Sequence, residues 1–414
     1  MKKLRVGILG CERGSCYYEE VLVNGGEIVA VCDFDEAKML RSVDRLEKKP
    51  ACYTDFEEFF KHDMDAVYLA NYFHEHAPYA IRFLEKGVHV LSECISNGTM
   101  AEGVALVRAA EKSKAFYMLA ENYPFMKFNQ EMRRIYRTGK LGKFLFGEGE
   151  YNHPGNPEKI KDSLNLRPFS KHWRNFNPFT YYITHSLAPL MYITGALPKR
   201  VTVLPIFAPM TRPLPSFKMA GEQAAIFTCL NNDDSVYRVV ATSAFGAKHN
   251  FYRICGVKGQ MENVRGGEGK IMLRYNDWEI PEGEQEQNYY EPEWPADVKE
   301  FAENSGHSGG DFFVMREFLS CIRENRRPEF DEYFATRCAS VGILGFRSMS
   351  ELGVPYDIPD FHLEEDRKKY ENDTLSPFHY TDGREPTMPC CSRPDYRPTE
   401  YQMTEYMKLT GEIK

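Results

Sequence analysis

The sequence predicts an α/β protein: a doubly wound parallel sheet first, then an α+β region on an open, mostly antiparallel sheet. Three observations carry this. Over residues 4–122, short apolar runs alternate with amphipathic stretches of helical period, the pattern of a parallel sheet with helices on both faces. Around 146–152 and through 200–275, such runs follow one another with no helix between them. A length of 414 residues exceeds what one core usually supports, so two domains are expected.

The first strand is the apolar, β-branched-containing run Leu4–Leu9, ended by Gly10. A helix-like stretch leads to EIVAVCD (27–33), whose apolar run ends on Asp33. Helical DEAKMLRSVDRLEKK precedes the strand DAVYLA (65–70), and HAPYAIRFLEKG precedes VHVLSE (88–93). MAEGVALVRAAEKS then leads into FYMLAEN (116–122). The character changes near Gly147. KRVTVLPIF, AAIFTCL, SVYRVVATSAF and FYRICGV read as strands, PLMYITG as helix, and DFFVMREFLSCIREN from Asp311 as a helix with an acidic start. The reading is therefore a nucleotide-binding domain over 1–122 and a substrate and oligomerisation domain over 123–359. The last helices of the second domain are free to pack back on the first. A tail over 360–414, rich in Pro, Tyr and charge, has the choice of wrapping the second domain or a neighbouring subunit.

Bulk properties narrow the partners. A net charge of −8 with no basic run argues against nucleic acid and for a small-molecule substrate. Eleven cysteines without CxxC spacing read as reduced thiols of a cytoplasmic protein. The chain enters its first strand at once, leaving no room for a signal peptide, and no apolar run reaches membrane-spanning length. Neither His74 and His76 nor Cys390 and Cys391 form a metal-ligand set, so no metal is expected.

The turn after the first strand is Gly10-Cys11-Glu12-Arg13-Gly14-Ser15, an altered form of the glycine pattern that receives a pyrophosphate, with Glu12 where a second glycine is expected. Asp33, at the end of the second strand, has the position of an acid that accepts from a ribose diol and repels a 2′-phosphate. This points to NAD rather than NADP. Its bland alternative is an N-cap for the next helix.

With DAVYLANYFHEHAPYAIRFLEKGVHVLSE in view, residues 3–350 resemble the Gfo/Idh/MocA oxidoreductase family. The resemblance implies a Rossmann domain followed by an α+β domain. It places Asn71, Phe73 and His76 at the cofactor and matches Glu93 to the Glu of a Glu-Lys-Pro motif. Cys94 and Ile95 stand where that motif has Lys-Pro, and Tyr181 stands where the family has an aspartate, so the simple Lys/Asp/His alcohol oxidation lacks two of its groups. The segments ECI (Glu93), AEN (Ala120), GEGEYNH (Gly147), HWR (His172), YITHSLAP (Tyr182) and GHSGGDFF (Gly306) are similar, in order, to the branch of NAD-dependent glycosidases typified by α-N-acetylgalactosaminidase. Ser186 and Ala188 for glycines, and Ile183 for proline, mark a relative rather than a direct member.

That resemblance implies redox-neutral chemistry: NAD takes hydride from the sugar's 3-carbon, the 2-hydrogen is removed, the anomeric group leaves, water adds, and the hydride returns. It implies His185, Tyr182 and Tyr151 as the proton-moving groups, and Glu121, Asn122 and Cys94 near the nicotinamide. His153, Trp173, Arg174 and His307 are implied at the sugar. Each has a plainer alternative. Tyr182 and His185 fit core residues with satisfied polar tips, Tyr151 and His153 one face of a strand, and Glu121 a capping or paired acid. Trp173 and Arg174 fit a stacked surface pair, His307 a residue preceding a helix capped by Asp311, and Cys94 a space-filler. Two other functions stay open: an ordinary NAD-dependent sugar or polyol dehydrogenase with His185 as base, and a non-catalytic dinucleotide- or sugar-binding protein. The resemblance also implies a homo-oligomer, a dimer or tetramer.

Overall fold

The computed structural model describes residues 2–154, 171–209, 219–242, 245–267 and 269–414. The chain divides into two compact units interleaved in sequence: Met1–Glu131 with Pro292–Ala339 and Asp360–Asp373, and Met132–Glu291 with Ser340–Pro359 and Thr374–Lys414.

The first unit is built on six parallel strands, β1 (Leu4–Leu9), β2 (Gly26–Cys32), β3 (Ala51–Tyr53), β4 (Ala66–Leu69), β5 (His89–Ser92) and β6 (Tyr117–Leu119). Their order is β3-β2-β1-β4-β5-β6, the doubly wound order of a dinucleotide-binding sheet, as the sequence predicts. The strands are mostly apolar because helices cover both faces; every residue of β4 is buried. The helices begin and end where the side chains dictate. Thr99 and Glu102 form a reciprocal capping box at the start of Met100–Lys112. Gly87, at φ 80°, closes His76–Lys86 in the left-handed conformation.

The second unit holds β7 (Phe144–Asn152), β8 (Pro198–Phe207), β9 (Glu222–Asn231), β10 (Val236–Thr242), β11 (His249–Gly256), β12 (Gly259–Asn263), β13 (Ile271–Tyr275), β14 (Gln287–Tyr290) and β15 (Tyr356–Asp357). They form one sheet in the order β14-β13-β12-β11-β7-β10-β9-β8-β15. All neighbours are antiparallel except β10 and β7, which run parallel, so the sheet is mixed at its centre.

The two faces of β7 differ. Glu148 and Glu150 project on one side into ion pairs with Arg238 and Arg253, and with Arg265 and His249. Of the opposite parity, Gly149 and Tyr151 meet the helix Thr184–Thr194, which packs on β7, β10 and β11, and Gly147 lies against Tyr237. A Cβ built on Gly149 would lie 2.1 Å from the Ser186 carbonyl oxygen, a backbone atom that cannot move without the helix. Gly149→Ala is therefore expected to push that helix off the sheet and cost about 1–3 kcal/mol, read as a lowered urea midpoint with unchanged slope.

Candidate active site

The nucleotide end is assembled at the carboxyl ends of the first unit's strands. Gly10 adopts φ 91°, and a Cβ there would lie 2.3 Å from the Ala70 carbonyl oxygen, so only glycine fits the crossing from β1 into the turn beside β4. Cys11–Gly14 forms a single helical turn. Glu12, in the place of the second glycine, reaches Lys38 at 3.5 Å, and Ser15 donates back to the Glu12 carbonyl. Asp33 is buried, and both its oxygens accept from backbone: Oδ2 from the Cys11 N–H at 2.7 Å and Oδ1 from the Asp35 N–H at 3.0 Å. It does not cap the following helix, Glu36–Val43; Asp35 does, accepting from the Lys38 N–H. A carboxylate offers about four lone-pair positions, so Asp33 keeps capacity for a diol while it ties the glycine turn to β2.

Arg13 is the centre of a buried ionic cluster. Its Nε donates to Glu93 Oε1 at 2.8 Å, which also accepts from the Tyr68 hydroxyl at 2.6 Å. The two terminal nitrogens of Arg13 donate to the carboxylate of Asp311 at 3.0 and 3.2 Å. That carboxylate also accepts from the Tyr17 hydroxyl (2.8 Å) and Asn122 Nδ2 (2.6 Å), and lies 3.0 Å from His307 Nδ1. Burial pushes the Asp311 pKa up, but the His307 hydrogen bond and the Arg13 charge outweigh it and hold the group well below the usual carboxylate range. Burial, reinforced by Asp311, raises the Tyr17 hydroxyl well above its ordinary value. Asp311 is not the cap of its helix, Gly310–Glu324; the cap position is Gly309, and Asp311 lies in the first turn. His307, Ser308 and Gly309 all have positive φ (53°, 53° and 88°), an uncommon run that turns the chain so His307 folds back on Asp311.

Cys94 and Glu121 face each other, the thiol donating to Glu121 Oε2 at 3.1 Å, while Oε1 accepts from the Tyr123 N–H. Phe73 is buried, and His76 is held by its Nδ1, 2.7 Å from the Ile95 carbonyl; burial lowers its pKa, keeping the ring neutral. Three buried polar atoms here have no hydrogen-bond partner: Asn71 Oδ1, His76 Nε2 and Asn122 Oδ1. Unmet buried polar atoms at the strand ends, beside a turn only glycine can make, fit a polar dinucleotide.

The second unit carries the phenols and the imidazole. Tyr151, Tyr182 and His185 form one cluster, with the His185 ring 4.9 Å from that of Tyr151 and 5.2 Å from that of Tyr182, edge-on to both. Tyr151 and Tyr182 are 6.1 Å apart, and His153 lies 5.7 Å from Tyr151. Tyr182 and His185 are half-buried, whereas Tyr181, the alternate aromatic, is fully buried against Phe346 and Phe378. Tyr181 is thus a core residue.

The helix under His185 contains Pro189, which has no N–H for the carbonyl four residues earlier. That carbonyl belongs to His185, and the buried Tyr252 hydroxyl donates to it at 2.5 Å. Tyr252, Asp311 as a hub and Tyr17 escape sequence reasoning, because their partners are distant in the chain.

Trp173 is buried and the exposed Arg174 guanidinium lies 4.5 Å over its ring, so the pair is stacked with its arginine at the surface. His172 caps their short helix, Trp173–Phe176, accepting from the Arg174 N–H. Among the described residues, no three His, Cys, Asp or Glu side chains are grouped to hold a metal ion, and no helix is long and apolar enough to cross a membrane.

Comparison with known proteins agrees with this geometry. Residues 4–121 match the oxidoreductase family with an NAD-binding Rossmann fold, and residues 234–367 match the glycosyl hydrolase 109 C-terminal domain. A glycosyl hydrolase family 109 protein of Shewanella sp. (strain ANA-3) is 26% identical over 396 residues, covering 87% of this chain and 85% of the relative. An α-N-acetylgalactosaminidase of Shewanella oneidensis is 24% identical with the same coverage. Among solved structures, levoglucosan dehydrogenase in complex with NADH and L-sorbose superposes with a TM-score of 0.70 at 16% identity, covering 87% of this chain and 100% of that one. Residues 4–121 are thus similar to the NAD-binding oxidoreductases and residues 234–367 to the glycosyl hydrolase 109 C-terminal domain, and the chain is an NAD-dependent enzyme.

Proposed function

We propose that the enzyme acts on a sugar or glycoside by transient oxidation at the 3-carbon, loss of the anomeric group, hydration and re-reduction, with His185, Tyr182 and Tyr151 moving the protons. The observation that carries this is the cluster of one imidazole and two phenols, Tyr151 buried and Tyr182 and His185 half-buried, in segments similar to those of the glycosidase branch. Gly10 to Ser15, Asp33, Asn71, Phe73, His76, Glu93, Cys94, Glu121 and Asn122 would hold NAD. When bound, the cofactor supplies reversible hydride acceptance. The protein's own groups then accept the hydroxyl proton, remove the 2-hydrogen and protonate the departing oxygen, tasks within reach of a histidine and two tyrosines. His153, Trp173, Arg174 and His307 would contact the sugar. The Cys94 thiol bonded to Glu121 supports the departure from simple dehydrogenation, since no lysine stands there. The eleven cysteines form no disulfide among the described residues, which supports the cytoplasmic part of the reading, and a homo-oligomer completes it.

A second reading, an ordinary sugar dehydrogenase, is favoured by the likeness to levoglucosan dehydrogenase. Turnover of nitrophenyl glycosides in heavy water separates the two. The expected result is nitrophenol release with deuterium at the sugar's 2-carbon and no accumulating NADH. Release without deuterium contradicts the elimination; NADH formed in step with substrate loss establishes the dehydrogenase.

A further inference from the structure

Both family matches end by residue 367, yet the chain continues to Lys414, and the segment from Thr374 onward belongs to the second unit. Within that unit two adjacent residues of this segment each touch one of the loops that carry candidate site residues. The Phe378 ring, fully buried, stands edge-on at 5.3 Å to Tyr181, the residue before Tyr182 in the chain. The His379 ring stands edge-on to Phe176 at 4.4 Å, at the end of the helix bearing Trp173 and Arg174.

The remainder of the segment is anchored along its length. Ser376 and Thr387 close a loop through reciprocal bonds of 2.9 Å. Glu385 pairs with Lys171 at 2.7 Å and has a carboxylate oxygen 2.6 Å from His379 Nδ1. The Ser392 N–H donates to the buried Glu222 at 2.7 Å, and Arg393 lies 3.7 Å over the Phe207 ring. The helix Glu400–Leu409 starts with a capping box, and its buried Tyr406 hydroxyl accepts from Asn175 Nδ2 at 3.3 Å.

We propose that residues 374–414 form a strap that sets sugar recognition, with Phe378 and His379 as positioning residues. They fix the Tyr182 segment and the Trp173–Arg174 segment relative to each other. The exposed Lys171–Glu385 pair contributes little to stability, so the aromatic contacts define the position. The inference rests on the sugar reading above for its consequence, but its geometric part does not.

The test uses full-length His379→Ala and His379→Phe. In the alanine variant, hydrogen exchange over 171–184 is expected to rise by about tenfold while 4–15 is unchanged. KM for a nitrophenyl glycoside is expected to rise about tenfold with kcat within about twofold. Phenylalanine, which keeps the ring edge, restores both. Unchanged exchange over 171–184 overturns the positioning role. An unchanged KM beside raised exchange, or a lowered melting temperature as the sole effect, overturns the recognition role. If the unaltered enzyme turns over no sugar, the functional reading fails instead, and the exchange result alone decides the positioning role.

Discussion

Asp311→Ala is expected to destabilise the protein by about 3–5 kcal/mol and to weaken NAD binding by about tenfold. The side chain is 2% exposed and gathers Arg13, Tyr17, Asn122 and His307 onto one carboxylate. Removing it leaves the Arg13 guanidinium with Glu93 as its ion-pair partner and a long bond to the Tyr17 hydroxyl, and strips buried donors of their acceptor, the costly half of breaking a buried pair. Because Arg13 lies in the glycine turn, the loss also unfixes the backbone expected to receive the dinucleotide. The pH dependence has a definite sign. Asp311 has a folded pKa depressed below the ordinary carboxylate value of about 4. Its contribution is therefore complete above about pH 4 and fades as pH falls toward the folded value. Urea unfolding at pH 7 and at pH 3 checks both statements: the difference between the parent protein and Asp311→Ala should be large at pH 7 and smaller at pH 3. An equal difference at both would show that Asp311 acts through packing rather than charge. Titration with NAD, followed by quenching of tryptophan emission, checks the binding arm.

Much of the first unit was legible because a buried parallel strand announces itself by a continuous apolar run: β1, β4, β5 and β6 lie inside the runs read from sequence, and β2 starts one residue before its run. The acids around the second strand show where legibility stops. Asp33 and Asp35 both precede a helix, and residue type alone does not say which accepts from the helix and which from the Cys11 N–H. The Asp311 hub is invisible for another reason: it joins side chains 189 to 298 residues apart, and no local period encodes such a contact. The strap lacks a period as well. Its irregular backbone is held by single bonds and ring contacts, so composition shows a Pro- and Tyr-rich stretch but not what it touches. The proton-moving candidates were legible only as segments resembling a family. The structure adds the distances that join them.

His185→Ala is expected to lower kcat by about 10²–10⁴-fold while leaving NAD binding and folding nearly intact. The reasoning turns on what holds the histidine in place. Its carbonyl is pinned by the Tyr252 hydroxyl because Pro189 provides no N–H, and the next residue's carbonyl is pressed onto Gly149 of β7. The backbone under the imidazole is thus fixed by contacts that do not involve the ring. The ring itself is half-buried and edge-on to two phenols, so its removal forfeits modest packing, about 1 kcal/mol. A loss of rate without a loss of stability therefore reports chemistry. Both catalytic readings require that result, since each needs a base at the sugar. A binding protein without catalysis requires instead that the parent chain and His185→Ala bind sugar and NAD alike and that neither turns over. Measuring kcat, NAD affinity and urea midpoint on the same pair of proteins decides among the three, because only a proton-moving histidine changes the first and spares the other two.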